Sequence, residues 1–361
     1  MLLFPLAALL RAQLGLDDAE LTVGFVMFHA AHVINDPHFS VTYLLFYRDF
    51  RARAFGGEST RAQRARYLGA GVLVPLALAA WASAALYAHS AQALGWMIQL
   101  MFLLVGWHYA KQGFGVLTVL SARRGVRFLP RERGVILAHC FAAWAFAWAN
   151  PARAAGEFEE KGVVYWGPAH PRWLELSTGA VFAGSSIALL YVLAAKARRE
   201  GKLPFVPLAG FLITIWLWTI YTGLDPLVRY AIPALHSIQY LYFVGLMKRN
   251  QARAFEGPPW FGPPPATRLT ALALSAVALG WLLLRGAPAA LDAGVSARWA
   301  RDLAAKNLGD TPFFAAFFVF VNIHHYFMDA VIWRRDNPET AYLLEPAELP
   351  PAGIEPQAIT T

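Results

Sequence analysis

Nine stretches of this chain run for the length of a bilayer crossing with few charges between their ends, and this limits the fold more than any motif does. They lie at about 20–47, 68–89, 93–120, 134–150, 175–197, 205–223, 229–247, 267–285 and 312–333. About 20 apolar residues are needed to traverse the hydrocarbon as a helix, where each backbone donor and acceptor must be paired within the segment. Composition agrees: of 361 residues, 57% are apolar and 15% charged, whereas soluble domains carry about a quarter charged. The reading is an all-α, polytopic membrane helical bundle of about nine transmembrane helices, forming one domain over residues 1–335.

The basic residues cluster where the apolar runs stop, in "YRDFRARAFGGESTRAQRAR", "SARRGVRFLPRERG", "KARREGK", "MKRNQARAF" and "WRRDN". Placed on the cytoplasmic side, these five groups let every span alternate without conflict, as the positive-inside rule requires. The N-terminus is then outside and the C-terminus cytoplasmic, in an integral membrane protein of a bacterial inner membrane. The formal net charge of +8 is accounted for by these groups, so membrane lipid is an expected partner and nucleic acid is not.

Outside the spans, residues 1–15 have no basic lead and no small-residue cleavage site, and read as an interfacial helix rather than a signal peptide. Residues 256–266 form a Pro-rich cytoplasmic connector that cannot be helical. Residues 286–311 read as an outer loop, and 336–361, rich in Pro, Glu and Ala, as a disordered cytoplasmic tail. The single cysteine, Cys140, excludes an intrachain disulfide and a CxxC metal site.

Polar residues inside the apolar runs are costly and turn toward the bundle interior. The first span holds His29, His32, Asn35, Asp36 and His38; the third holds His108, Lys111 and Gln112; the seventh His236 and Gln239; the ninth Asn322, His324, His325 and Asp329. At 1.5 Å of rise per residue, His38, His108, His236, His324 and His325 fall roughly 14–22 Å above the cytoplasmic boundary, with His32 just above them. His29, His32 and Asp36 share one helix face, as do Asn322, His325 and Asp329, while His324 points to a neighbouring face. Pro37 should disturb the first span just before His38.

Neutral imidazole is the commonest biological metal ligand. The candidate ligands are therefore His29, His32, His38, His108, His236, His324 and His325. This pool exceeds what one ion needs and leans toward two. Iron, one or two ions, is the expected cofactor, with copper, zinc or heme as alternatives. Asp36 and Asp329, each four residues after a histidine, are candidate catalytic carboxylates. Each is open to being a ligand, a carboxylate that orients a ligand histidine, or a proton relay. Tyr43, Trp107, Tyr109, Gln112, Gln239, Tyr240, Asn322 and Tyr326 are candidate walls of a substrate pocket.

The fragments "HAAH" and "NIHHY" resemble pieces of the histidine boxes of the integral-membrane iron oxygenases, the fatty-acid desaturases and hydroxylases. Those families carry HxxHH boxes, which this chain lacks. The dispersed, buried pattern is also similar in style to the membrane carotene-cleaving dioxygenases, multi-span proteins holding one iron on four intramembrane histidines. Both resemblances imply an oxidoreductase that uses dioxygen to oxidise, desaturate, hydroxylate or cleave a lipid-soluble substrate, with an electron-donor protein as a further partner. The acyl chain, the polyprenoid and the carotenoid are the substrate classes that suit lateral entry. The rival readings are a heme or quinone electron carrier and a proton-coupled transporter.

Overall fold

The computed structural model describes residues 3–149, 155–216, 226–299 and 306–344. The helices are α1 (Leu3–Leu14), α2 (Leu16–Ala31), α3 (Asn35–Arg48), α4 (Phe50–Phe55), α5 (Arg61–Leu68), α6 (Val74–Tyr87) and α7 (Ala91–Ala122). They continue with α8 (Pro130–Ala149), α9 (Arg172–Glu200), α10 (Phe205–Trp216), α11 (Pro226–Ala254), α12 (Pro265–Trp281), α13 (Ala287–Trp299) and α14 (Pro312–Ile332). An antiparallel hairpin, β1 (Gly156–Glu160) and β2 (Val163–Gly167), pairs Phe158 with Tyr165. It lies on α7 at Gly95, where any Cβ would meet the Tyr165 ring at 2.4 Å.

The all-α expectation holds for the bundle, but the count of nine crossings is not reproduced. Among the described residues, five helical segments are long and apolar enough to cross a membrane: Arg61–Tyr87, Ala91–Ala122, Arg172–Glu200, Pro265–Val295 and Pro312–Ile332. The first expected span is two helices separated by a turn at His32–Ile34. Pro37 accounts for this: its ring clashes with the carbonyl four residues back, at Val33, yet is tolerated in the first turn of a new helix. Residues 217–223 of the expected span 205–223 fall outside the described residues, as does Asp225.

Two π-helical turns, Gly69–Leu73 and Leu282–Gly286, join α5 to α6 and α12 to α13. Each precedes a proline, Pro75 or Pro288, that has no N–H to return to the turn behind it. The second corrects the expected outer loop at 286–311, because helix continues to Trp299. Asp292 on that continuation accepts from the backbone N–H of Phe313 (2.8 Å) and Phe314 (3.0 Å), satisfying first-turn donors of α14.

The expected disordered tail is also corrected over its described part. Residues Pro338–Leu343 form a 3₁₀ turn against α11. Lys248 and Arg48 both donate to Glu339, Asn250 donates to the Tyr342 carbonyl (2.8 Å) and Arg123 to the Leu343 carbonyl (2.8 Å). Partial burial pushes the Asp336 carboxyl up, but the hydrogen bond from Arg66 and the nearby Arg334 outweigh it, leaving the pKa below the ordinary value. Of the expected connector 256–266, residues 256–264 are non-helical and α12 begins at Pro265.

Helices α7 and α14 occupy the centre. One apolar cluster joins α6, α7, α14 and the hairpin; a second joins α3, α11 and α14; a third joins α7 to α8, α9 and α10. Helix α12 lies close along α3. A Cβ on Gly280 would sit 2.7 Å from the Asp36 carbonyl oxygen, and Ser40 donates to the Ala276 carbonyl. The outer face of α9 is left open, with Leu176, Val181, Ile187, Leu190 and Tyr191 all more than 60% exposed.

Candidate metal centre

His38 on α3, His108 on α7, His236 on α11 and His325 on α14 converge in the interior. Each offers one ring nitrogen, and the four nitrogens lie within 4.8 Å of one another. Exposure of these histidines runs from 0% for His325 to 7% for His236. The closest pair is His108 Nε2 and His236 Nε2, 3.0 Å apart. The rings meet mostly edge to face: His38 and His325 have centroids 4.4 Å apart, His108 and His325 4.9 Å, and His38 and His236 4.9 Å.

The orientation of His38 follows from its neighbours. Ser237 donates to Asn35 Oδ1 at 2.8 Å, so its remaining lone pairs accept from His38 Nδ1 at 3.2 Å. That leaves His38 Nε2 as a bare lone pair facing the cluster, and it has no hydrogen-bond partner. Neither ring nitrogen of His325 has a hydrogen-bond partner, nor has His236 Nδ1. Buried polar atoms are nearly always paired, so orphans gathered at one point are the expected signature of a metal site. With metal–nitrogen bonds of about 2.0–2.1 Å, opposite ligands sit about 4.2 Å apart, which suits this spacing.

Asp329, one turn after His325, is 5% exposed at its side chain. Its Oδ1 accepts from Tyr240 at 2.7 Å and from Thr42 at 3.4 Å. The Oδ2 atom lies 3.4 Å from His325 Nε2 and 3.7 Å from His108 Nε2, with no hydrogen-bond partner. The Trp333 indole also turns toward this carboxylate without reaching hydrogen-bond geometry.

Aromatic rings close the site off. Tyr240 packs on His38 (4.5 Å), Tyr109 on His236 (4.2 Å), Tyr326 on His108 (4.9 Å) and Phe39 on His325 (5.2 Å). Tyr326 donates to Asn322 Oδ1, and Asn322 itself donates to the Phe318 carbonyl. Gln112 donates to Gln239 Oε1 (2.8 Å) and to the His236 carbonyl (3.2 Å), tying α7 to α11 beside the ligands. Trp107 carries the Lys111 ammonium on its face, 4.4 Å from the centroid.

Three of the seven candidate histidines lie outside the group. His324 has both nitrogens engaged: Nε2 donates to the Ala70 carbonyl and Nδ1 accepts from Tyr43, each at 3.0 Å. The Ala70 carbonyl is free because the residue five along is Pro75, which cannot complete the π turn. His29 is exposed and packs against Phe25 and Phe28. His32 is half-exposed, its Nδ1 3.6 Å from Asp36 Oδ2. Asp36 also faces Arg285 Nε at 3.5 Å, and Arg285 covers the Phe28 ring at 4.6 Å.

Asn35, already among the inward polar residues of the first span, supports the site together with Thr42, Ser237 and Phe39, which the sequence pattern does not mark. A serine or threonine in an apolar helix carries no periodic signal. Arg285, by contrast, is a charge at the end of an expected span and was open to notice.

Comparison with protein-family models, curated proteins and solved structures finds no significant match to the chain.

Proposed function

We propose that this chain is an integral-membrane metalloenzyme. It uses one non-heme iron for the dioxygen-dependent oxidation of a lipid-soluble substrate, by cleavage with dioxygen alone or by desaturation or hydroxylation with two electrons from a donor protein. The observation that carries this reading is the meeting of four buried ring nitrogens, from four separate helices, within 4.8 Å. An all-imidazole set suits iron, copper or zinc rather than magnesium or calcium. It closes around one ion rather than two, and four rings about one point leave no room for a porphyrin. Iron is preferred because it combines imidazole ligation with dioxygen chemistry at a buried site.

The membrane assignment rests on the five long apolar helices and on the exposed apolar face of α9, which water would not tolerate in a monomer. The remaining expected crossings, with the N-terminus outside and the C-terminus cytoplasmic, complete the proposed topology. A site buried in such a bundle is reached from the lipid, which favours an acyl chain, a polyprenoid or a carotenoid.

Bound there, iron supplies activation of dioxygen. The protein's own part is positional: the Asn35–Ser237 pair presents His38 Nε2, and Tyr109, Tyr240, Tyr326 and Phe39 exclude water. Metal analysis of the detergent-purified chain tests the reading, with one iron per chain expected and none in His38→Ala. Oxygen uptake on addition of carotenoid, polyprenoid or fatty-acyl substrates, with and without an added two-electron reductant, then identifies the class. Protein that takes up no transition metal overturns the proposal.

A further inference from the structure

We infer that Asp329 is a fifth ligand of the same ion, binding through Oδ2; this rests on the four-histidine reading above. Two distances carry it. Asp329 Oδ2 stands 3.4 Å from His325 Nε2 and 3.7 Å from His108 Nε2, the separation of neighbouring ligands on one ion whose bonds are about 2.1 Å long. A hydrogen bond from imidazole to carboxylate closes to about 2.7–2.9 Å, and neither contact does so.

The two oxygens of this carboxylate are treated differently. Oδ1 is held by Tyr240 and Thr42, while Oδ2 is buried and has no hydrogen-bond partner. An unpaired buried carboxylate oxygen is costly, and a cation among the four imidazoles removes that cost. Charge gives an independent argument. Four neutral imidazoles leave a divalent ion with both charges uncompensated in a low-dielectric interior, which is unfavourable. Asp36, the other carboxylate on the ligand-bearing helices near the site, already faces Arg285. Asp329 supplies one of the two missing negative charges, and Tyr240 fixes which oxygen does so.

Cobalt(II) alone is the probe. The full-length protein in detergent is titrated with it, and binding is followed by competition with a chelator and by infrared difference spectra of the carboxylate stretches. In the wild type, one equivalent should bind and a carboxylate band should shift on loading. In Asp329→Asn, that band should vanish and affinity should fall by more than the 10–100-fold that losing an outer hydrogen-bond partner brings. A wild type that binds cobalt without a carboxylate shift, or an Asp329→Asn protein within 100-fold of it, overturns the inference and leaves the four-histidine site standing. A wild type that binds no cobalt overturns the underlying reading as well. If Asp329→Asn does not fold, the wild-type band decides by itself.

Discussion

His32/Asp36 and His325/Asp329 have the same spacing and are indistinguishable as motifs, yet they come to opposite ends. On α14 the helix is unbroken, so the pair shares a face, and that face meets imidazoles from α3, α7 and α11. Between His32 and Asp36 the helix is interrupted at 32–34. His32 is left half-exposed, and Asp36 takes Arg285 as its counter-charge. A carboxylate four residues from a histidine therefore says little by itself. What decides its role is whether the next helix brings lone pairs or a cation.

The largest effect that separates the two pairs is on metal content. His325→Ala should leave the purified protein without bound metal, since it removes one of four converging ligands. His32→Ala should retain one ion per chain. Metal found to depend on His32, or to survive His325→Ala, would erase the distinction between the pairs.

The second effect is on stability. Arg285→Met removes the cation facing a buried carboxylate, and breaking a buried pair from one side costs about 3–5 kcal/mol. Thermal unfolding in detergent should show the loss, while the metal stoichiometry remains at one. An unchanged midpoint would mean that Asp36 is compensated by something other than Arg285.

Most helices were legible because length and apolar content are local properties of a segment. Residues 287–299 were not: "APAALDAGVSARW" is small and mixed, and its helix is tied to the start of α14 through Asp292, which contacts residues about twenty positions away. The layer of histidines was legible as well, since counting along a helix gives depth. Depth does not give direction around the axis, so His29, His32 and His324 could not be separated from the four that converge. The exclusion of His324 depends on a carbonyl 254 residues distant, freed by a proline on a different helix.

That exclusion has a measurable counterpart. His324→Ala leaves the Tyr43 hydroxyl and the Ala70 carbonyl without their partner, at about 1–3 kcal/mol for the unsatisfied group. It should lower the unfolding temperature and leave one metal per chain, the reverse of His325→Ala at the adjacent position. If His324→Ala lost metal while keeping its stability, the adjacent histidines would have to exchange roles.

The smallest effect sharpens what makes a histidine in this bundle a ligand. His38 is useful because Ser237 accepts from its Nδ1, a choice forced when Ser237 spends its own proton on Asn35. Ser237→Ala removes that acceptor while leaving the ring, its burial and its packing against Tyr240 in place. The imidazole is then free to carry its proton on Nε2, facing the site, and must change tautomer before it can bind. Metal affinity should fall about 10-fold, in line with the loss of an outer hydrogen-bond partner, with no change in stoichiometry at saturating metal. Asn35→Ala should give a smaller loss, because the serine hydroxyl remains and only its preferred direction is released. A larger effect from Asn35 than from Ser237 would mean that the asparagine acts on the site by another route, and the hydrogen-bonded order from Asn35 through Ser237 to His38 would fail.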